Sequence, residues 1–150
     1  MLWHKWHILS ALTVSLLLQG ASASEKNPVQ RPLRAMSDVT VVLDFATSTY
    51  ESAEEGECAH FGRYVNKGGG VIDAGGNPTS GGGIITTANG DQVFWQMASG
   101  RAEITGGSGR FEFATGYMLP GPPQDMQMVW VDDHTLVITY STIGTGKITY

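Results

Sequence analysis

One cysteine, Cys58, stands in the whole chain. No intramolecular disulfide can form, so stability has to come from packing and sheet closure. A single thiol in an exported protein leaves two roles open, pairing between chains or a reactive thiol. Basic residues are scarce: nine Lys and Arg stand against fourteen Asp and Glu, a formal charge of −5. That balance argues against nucleic acid and against an anionic membrane surface as charge-driven partners. No Asn-x-Ser/Thr acceptor is present, because Asn77-Pro78-Thr79 carries proline in the middle position.

Catalytic and metal motifs are also lacking. Gly107-Ser108-Gly109 is not a phosphate loop, which needs Gly-Lys-Ser/Thr at its end. Nor is it a nucleophile elbow, since Arg110 stands where the second glycine would be. Beyond residue 23 the chain offers one Cys and two His, His60 and His134, where zinc wants three or four ligands. The expectation is no metal and no cofactor. No sustained 3.6-residue period occurs after residue 23, which removes helical bundles from consideration.

What is present begins with an export signal. His4 and Lys5 open the chain, an apolar run of about eleven residues covers 8–18, and Ala21-Ser22-Ala23 fits the small-x-small cleavage rule. The run is too short for a membrane span, which needs ~20 apolar residues. Residues 1–23 are expected to be a cleaved signal peptide, giving a secreted or, in a Gram-negative cell, periplasmic protein with no membrane attachment. Lys5 leaves with the signal, so the formal charge moves from −5 to −6. Residues 24–37 carry Pro28, Pro32 and mixed charges without periodicity and read as a flexible arm. Residues 38–150 read as one domain.

Short β-strands with turn signals between them fill that domain. Residues 39–50 alternate, with Val39, Val41, Leu43 and Phe45 on one face. Residues 51–57 hold four glutamates and Gly56 and read as a solvated turn, with a second strand over 58–66. Gly68-Gly69-Gly70 reads as a bulge or barrel corner. Residues 74–83 read as a loop, and Asn89-Gly90 between two apolar segments marks a hairpin with a type I′ turn. Another strand covers 101–105. The segment 102–116 packs four glycines around Arg110-Phe111 and reads as a turn into a short helical plug, with Phe111 and Phe113 buried. A second hairpin is expected over 126–131 and 135–140, then a bend at Gly144-Thr145-Gly146 and a last strand over 147–150. A last strand that pairs with the first would leave no open edge.

Three blocks carry a resemblance. Cys58-Ala59-His60-Phe61-Gly62-Arg63-Tyr64, Gly90-Asp91 and Gly107-Ser108-Gly109-Arg110-Phe111-Glu112-Phe113-Ala114-Thr115-Gly116 together resemble, in order and spacing, the allene-oxide-cyclase-like and dirigent-like β-barrels, especially their small secreted bacterial members. Phe113 stands where that family usually has glycine, and Phe61 where it usually has leucine. The resemblance implies an antiparallel, closed, calycin-type barrel of about eight strands, often a homo-oligomer, with a central cavity. It transfers no catalytic residue to this chain.

The candidate chemistry is thin. Cys58 and His60 share a face if their segment is extended, and Glu57 and Arg63 flank them, so these four are the candidate catalytic set. The alternative is a buried, inert thiol beside a hydrogen-bonded histidine. Trp95, Met97, Tyr117 and Tyr140 are the candidate ligand-binding residues, against simple core filling. Arg101/Glu103 and Arg110/Glu112 are each two apart and read as surface ion pairs or as polar groups inside a barrel. Three functions follow: a non-enzymatic binder of a small apolar ligand, or a structural domain; an isomerase or cyclase of dirigent type steering a reactive intermediate by cavity shape; and a protein-interaction module built on an open edge or the acidic 51–57 segment.

Overall fold

The structure, a computed structural model, describes residues 28–150. Nine antiparallel strands follow one another: β1 (Gln30–Asp44), β2 (Thr49–Cys58), β3 (Gly62–Ile72), β4 (Pro78–Thr87), β5 (Gln92–Ala98), β6 (Arg101–Gly107), β7 (Thr115–Leu119), β8 (Gln124–Trp130) and β9 (Thr135–Thr149). A 3₁₀ turn, Gly109–Phe111, joins β6 to β7. The sheet runs β1-β2-β3-β4-β5-β6-β7-β9, and β9 pairs back onto β1, closing an eight-stranded barrel. That closure spans the full length of both strands, from Gln30 opposite Thr149 to Asp44 opposite Thr135. β8 is a ninth strand outside the ring. β7 holds the Thr145–Thr149 part of β9, and β8 pairs with the part from Leu136 to Ser141.

The all-β, closed antiparallel fold matches the sequence reading, but several elements differ. The arm expected over 24–37 is strand from Gln30 onward, because its backbone pairs with β9 and, from Ala35, with β2 as well. The expected signal peptide and the start of the arm lie outside the described residues. The strand expected over 39–50 breaks after Asp44, whose Oδ1 accepts hydrogen bonds from the amides of Ala46 (2.8 Å) and Thr47 (3.2 Å). Ser48 then takes φ 57° to complete the turn.

The largest correction is β2. The acidic 51–57 segment is not a solvated turn but a strand paired on both sides. Glu51, Glu55 and Glu57 point to solvent, while Ser52, Glu54 and Gly56 take the inner face. The expected strand over 58–66 is interrupted by a turn at 59–61. Gly68-Gly69-Gly70 is regular sheet facing Gly81-Gly82-Gly83, and the register shift falls later, at Val71/Ile72. Of the expected 74–83 loop only the first part is a turn; β4 starts at Pro78.

The β4–β5 hairpin forms where Asn89-Gly90 places it, but only Gly90 takes positive φ (90°). The amide of Gly90 donates to the Thr87 carbonyl and that of Thr87 to the Asp91 carbonyl, so a type I′ turn, which needs two such residues, is ruled out. The β8–β9 hairpin forms around 131–134, and β9 runs without a break through Gly144–Gly146 because β1 pairs with it there. The plug after β6 buries Phe111 completely, while Phe113 is 82 % exposed, against expectation.

Two apolar clusters fill the barrel ends. One gathers Leu33, Cys58, Phe61, Val93, Phe111 and Ile148 near the 3₁₀ turn. The other gathers Leu43, Tyr50, Ile72 and Leu136 near the β1–β2 turn. The space between them is not filled.

Candidate functional site

A cavity of about 440 Å³ occupies that middle zone. Its wall is mostly apolar, with Leu33, Val39, Ile85, Trp95 and Met118 among its residues. Strand alternation sends every second side chain of β1, β2 and β3 into it. On β2 this inner set is Tyr50, Ser52, Glu54, Gly56 and Cys58, so one glutamate of an acidic strand faces the cavity.

Register sets the partners of Glu54. It lies directly opposite Asn66 on β3, with Tyr64 two residues away on the same face. The Tyr64 hydroxyl donates to Glu54 Oε1 at 2.7 Å and Asn66 Nδ2 donates to Oε2 at 3.0 Å. Asn66 Oδ1 in turn accepts from the Trp95 indole N–H at 2.9 Å. The chain Trp95–Asn66–Glu54–Tyr64 is therefore continuous, and each buried polar group in it is satisfied, as low-dielectric surroundings require. Across β1, Val39 lies opposite both Glu54 and Tyr140, which brings the Tyr140 ring to the same side of the cavity.

Glycine makes room for these rings. A Cβ on Gly68 or Gly83 would stand 2.7 Å and 2.8 Å from Trp95 Cζ2, closer than real Cβ atoms come. The indole thus lies over bare backbone on β3 and β4 and reaches Asn66. A Cβ on Gly81 would collide with the Tyr50 hydroxyl in the same way.

The electrostatics follow from burial around one carboxylate. Burial, with Glu54 adding to it, pushes the Tyr64 hydroxyl far above its ordinary value of 10.0. The same two causes raise Tyr140, and burial alone raises Tyr50. All three phenols stay protonated at neutral pH, and Tyr64 donates to Glu54. Among the described residues Arg101 is the one basic side chain in the cavity wall, and with its side chain 40 % exposed it sits at the rim. Its Nε contacts Glu103 Oε1 at 2.5 Å and its guanidinium carbon lies 4.4 Å from the centre of the Tyr117 ring.

The four expected catalytic residues do not converge. Glu57 and Arg63 point outward into solvent, opposite each other across β2 and β3. Cys58 is buried and faces the cavity end. His60 lies in the β2–β3 turn, its Nε2 3.0 Å from the Pro32 carbonyl and its Nδ1 3.4 Å from the Tyr150 hydroxyl, so its partners are not Cys58. Of the expected ligand-binding residues, Trp95, Met97 and Tyr140 line the cavity, while Tyr117 lies outside it under Arg101. Arg110 does not pair with Glu112. It sits 3.5 Å from Asp91 Oδ2 and donates to the His60 carbonyl at 2.8 Å. Among the described residues no three of His, Cys, Asp and Glu are placed to hold a metal.

The residues that sequence reasoning missed are Glu54, Tyr64 and Asn66. A signal for Glu54 was present: counting by twos from Tyr50 to Cys58 puts it on their face. Comparison with known proteins adds no assignment, since no family model, curated protein or solved structure matches the chain.

Proposed function

We propose that this chain is an exported barrel that binds a small, mainly apolar ligand in its cavity, with Glu54 as the polar anchor. The observation that carries the reading is a space of about 440 Å³ with a mostly apolar wall and one fixed carboxylate cluster. Small-molecule sites have this composition, ~300–1,000 Å³ of mainly apolar wall with a few placed polar groups. A barrel whose interior served only as a core would fill that space with side chains at close-packed density. Export is supported by the N-terminal apolar run and its small-residue end.

A second reading is an isomerase or cyclase of the dirigent type, steering a reactive intermediate by cavity shape. It draws support from the Glu54–Tyr64 contact, a carboxylate and a protonated phenol held 2.7 Å apart inside a mostly apolar cavity. Such a pair can take and return a proton, provided a substrate atom comes within hydrogen-bond reach.

Native mass spectrometry of the protein isolated from its own cells tests the binding reading. A mass above that of the polypeptide, lost on denaturation, is the expected result. A bare mass at every charge state rejects a resident ligand. The same spectrum reads the number of copies in the particle.

A further inference from the structure

We infer that the ligand is an organic cation, a protonated amine on an apolar body, with its ammonium group at Glu54. The inference rests on the binding reading above and adds the chemical class. Glu54 is anchored, yet among the described residues no cation pairs with it. Its two oxygens each accept one hydrogen bond, from Tyr64 and from Asn66. A carboxylate has about four lone-pair sites, so half of its accepting capacity is still open to the cavity that it lines. Both partners are neutral donors. Among the described residues Glu54 has no salt-bridge partner, and Arg101, the one cation in the wall, is held at the rim by Glu103.

A carboxylate lining a mostly apolar cavity is stabilised by a counter-charge more than by neutral donors. The protein supplies none inside the cavity, so a cationic ligand completes the site. The wall suits such a ligand in a second way. Tyr50, Tyr64, Trp95 and Tyr140 surround the same space as Glu54, and aromatic faces attract ammonium groups, most strongly where water is excluded. Burial keeps all three phenols neutral, so their rings add no competing negative charge. An anionic ligand of the same shape would meet Glu54 as a like charge. A neutral alcohol would gain a hydrogen bond and leave the charge uncompensated.

The test is a calorimetric titration of the full mature chain near neutral pH with three probes of one chain length: n-octylammonium, 1-octanol and octanoate. The ammonium is expected to bind about tenfold to a hundredfold more tightly than the alcohol, the range for a hydrogen bond to a charged partner. Octanoate is expected to bind more weakly than either. Glu54→Gln should abolish the preference, bringing the ammonium down to the level of the alcohol. Glu57→Gln removes the same charge from the outer face of β2 and should leave the ammonium preference intact. If octanol binds as tightly as octylammonium, or if Glu57→Gln reduces the preference as much as Glu54→Gln does, the cation inference is overturned and the binding reading stands. If no probe binds, both fall. The ranking of the three probes on the unaltered protein decides the matter even if Glu54→Gln fails to fold.

Discussion

The two ends of the barrel are built on different physics. At the 3₁₀-turn end, Phe111 is fully buried and its ring meets Phe61 at 5.6 Å and Tyr150 at 4.8 Å between centroids. At the β8 end, Met126, Met128, Val129, Trp130 and Val131 are all exposed, and Trp130 (59 % exposed) has one aromatic neighbour, Phe45 at 5.7 Å. The first end is sealed by apolar packing. The second has a smaller apolar cluster, Leu43, Tyr50, Ile72 and Leu136, and turns in which Asp44, Asp73 and Asp132 each accept hydrogen bonds from the backbone amides that follow them. The cavity lies between a rigid end and one whose outermost strand adds little to the core.

The sharpest way to break the comparison is to remove one large ring at each end. Phe111→Ala is expected to cost about 3–5 kcal/mol, the range for emptying a packed aromatic site. Trp130→Ala should cost about 1 kcal/mol, the value of one exposed aromatic contact. Urea midpoints of both variants against the parent check the ratio, and equal losses would mean that β8 is part of the core after all.

A smaller effect is expected at the cavity itself. Gly83→Ala would push a methyl against Trp95 and against the backbone of Lys67 and Gly68. Backbone cannot yield as a flexible side chain can, so a loss of about 1–3 kcal/mol is expected, as for other overpacked interiors. Trp95 should then lose its hydrogen bond to Asn66, visible as a shift of its indole N–H resonance. A stable protein with an unshifted resonance would show that the glycines are not there to seat the indole.

How much of this could be read from the chain depended on whether composition and alternation agreed. In the β4–β5 hairpin they agreed, with Asn89-Gly90 between runs of Ile, Thr, Val, Phe and Trp, and the hairpin is where expected. Closure of the last strand onto the first was expected, but the strands were read as 39–50 and 147–150, whereas the pairing runs from Gln30–Asp44 to Thr135–Thr149. In β2 they disagreed. Glu and Gly are poor strand formers, and four glutamates in seven residues look like a solvated turn. Pairing with β1 and β3 overrode that preference, and only alternation from Tyr50 to Cys58 carries the information that Glu54 points inward. Residues 30–37 failed for a similar reason. Arg31, Pro32 and Arg34 resemble a tether, while Leu33, Ala35 and Ser37 between them form the inner face. The candidate catalytic set was chosen for closeness in sequence, and a strand sends neighbours in sequence to opposite sides. Glu57 and Cys58 are separated in this way.

The smallest expected effect concerns acid. Asp132 has its carboxyl held below the ordinary 3.8, chiefly by the His134 amide and then by Thr135. The Asn77 amide does the same chiefly for Asp73, and Thr47 for Asp44. A carboxylate whose folded pKa is depressed contributes its stability in full above the unfolded value and loses it as pH falls through the folded value. The turns at the β8 end should therefore loosen below pH 3.8, while the contacts of Phe111 with the Phe61 and Tyr150 rings involve no carboxylate. The two tryptophans among the described residues report the difference, since Trp95 is buried in the barrel and Trp130 is on β8. Titrated from about pH 5 to about pH 2.5, the Trp130 indole N–H resonance should shift and broaden before that of Trp95. The triple variant Asp44→Asn, Asp73→Asn, Asp132→Asn should bring the two transitions together, because a neutral amide oxygen accepts the same bonds without titrating. Coincident transitions in the unaltered protein would mean that the two ends unfold as one unit and that the turn hydrogen bonds give the β8 end no separate acid response.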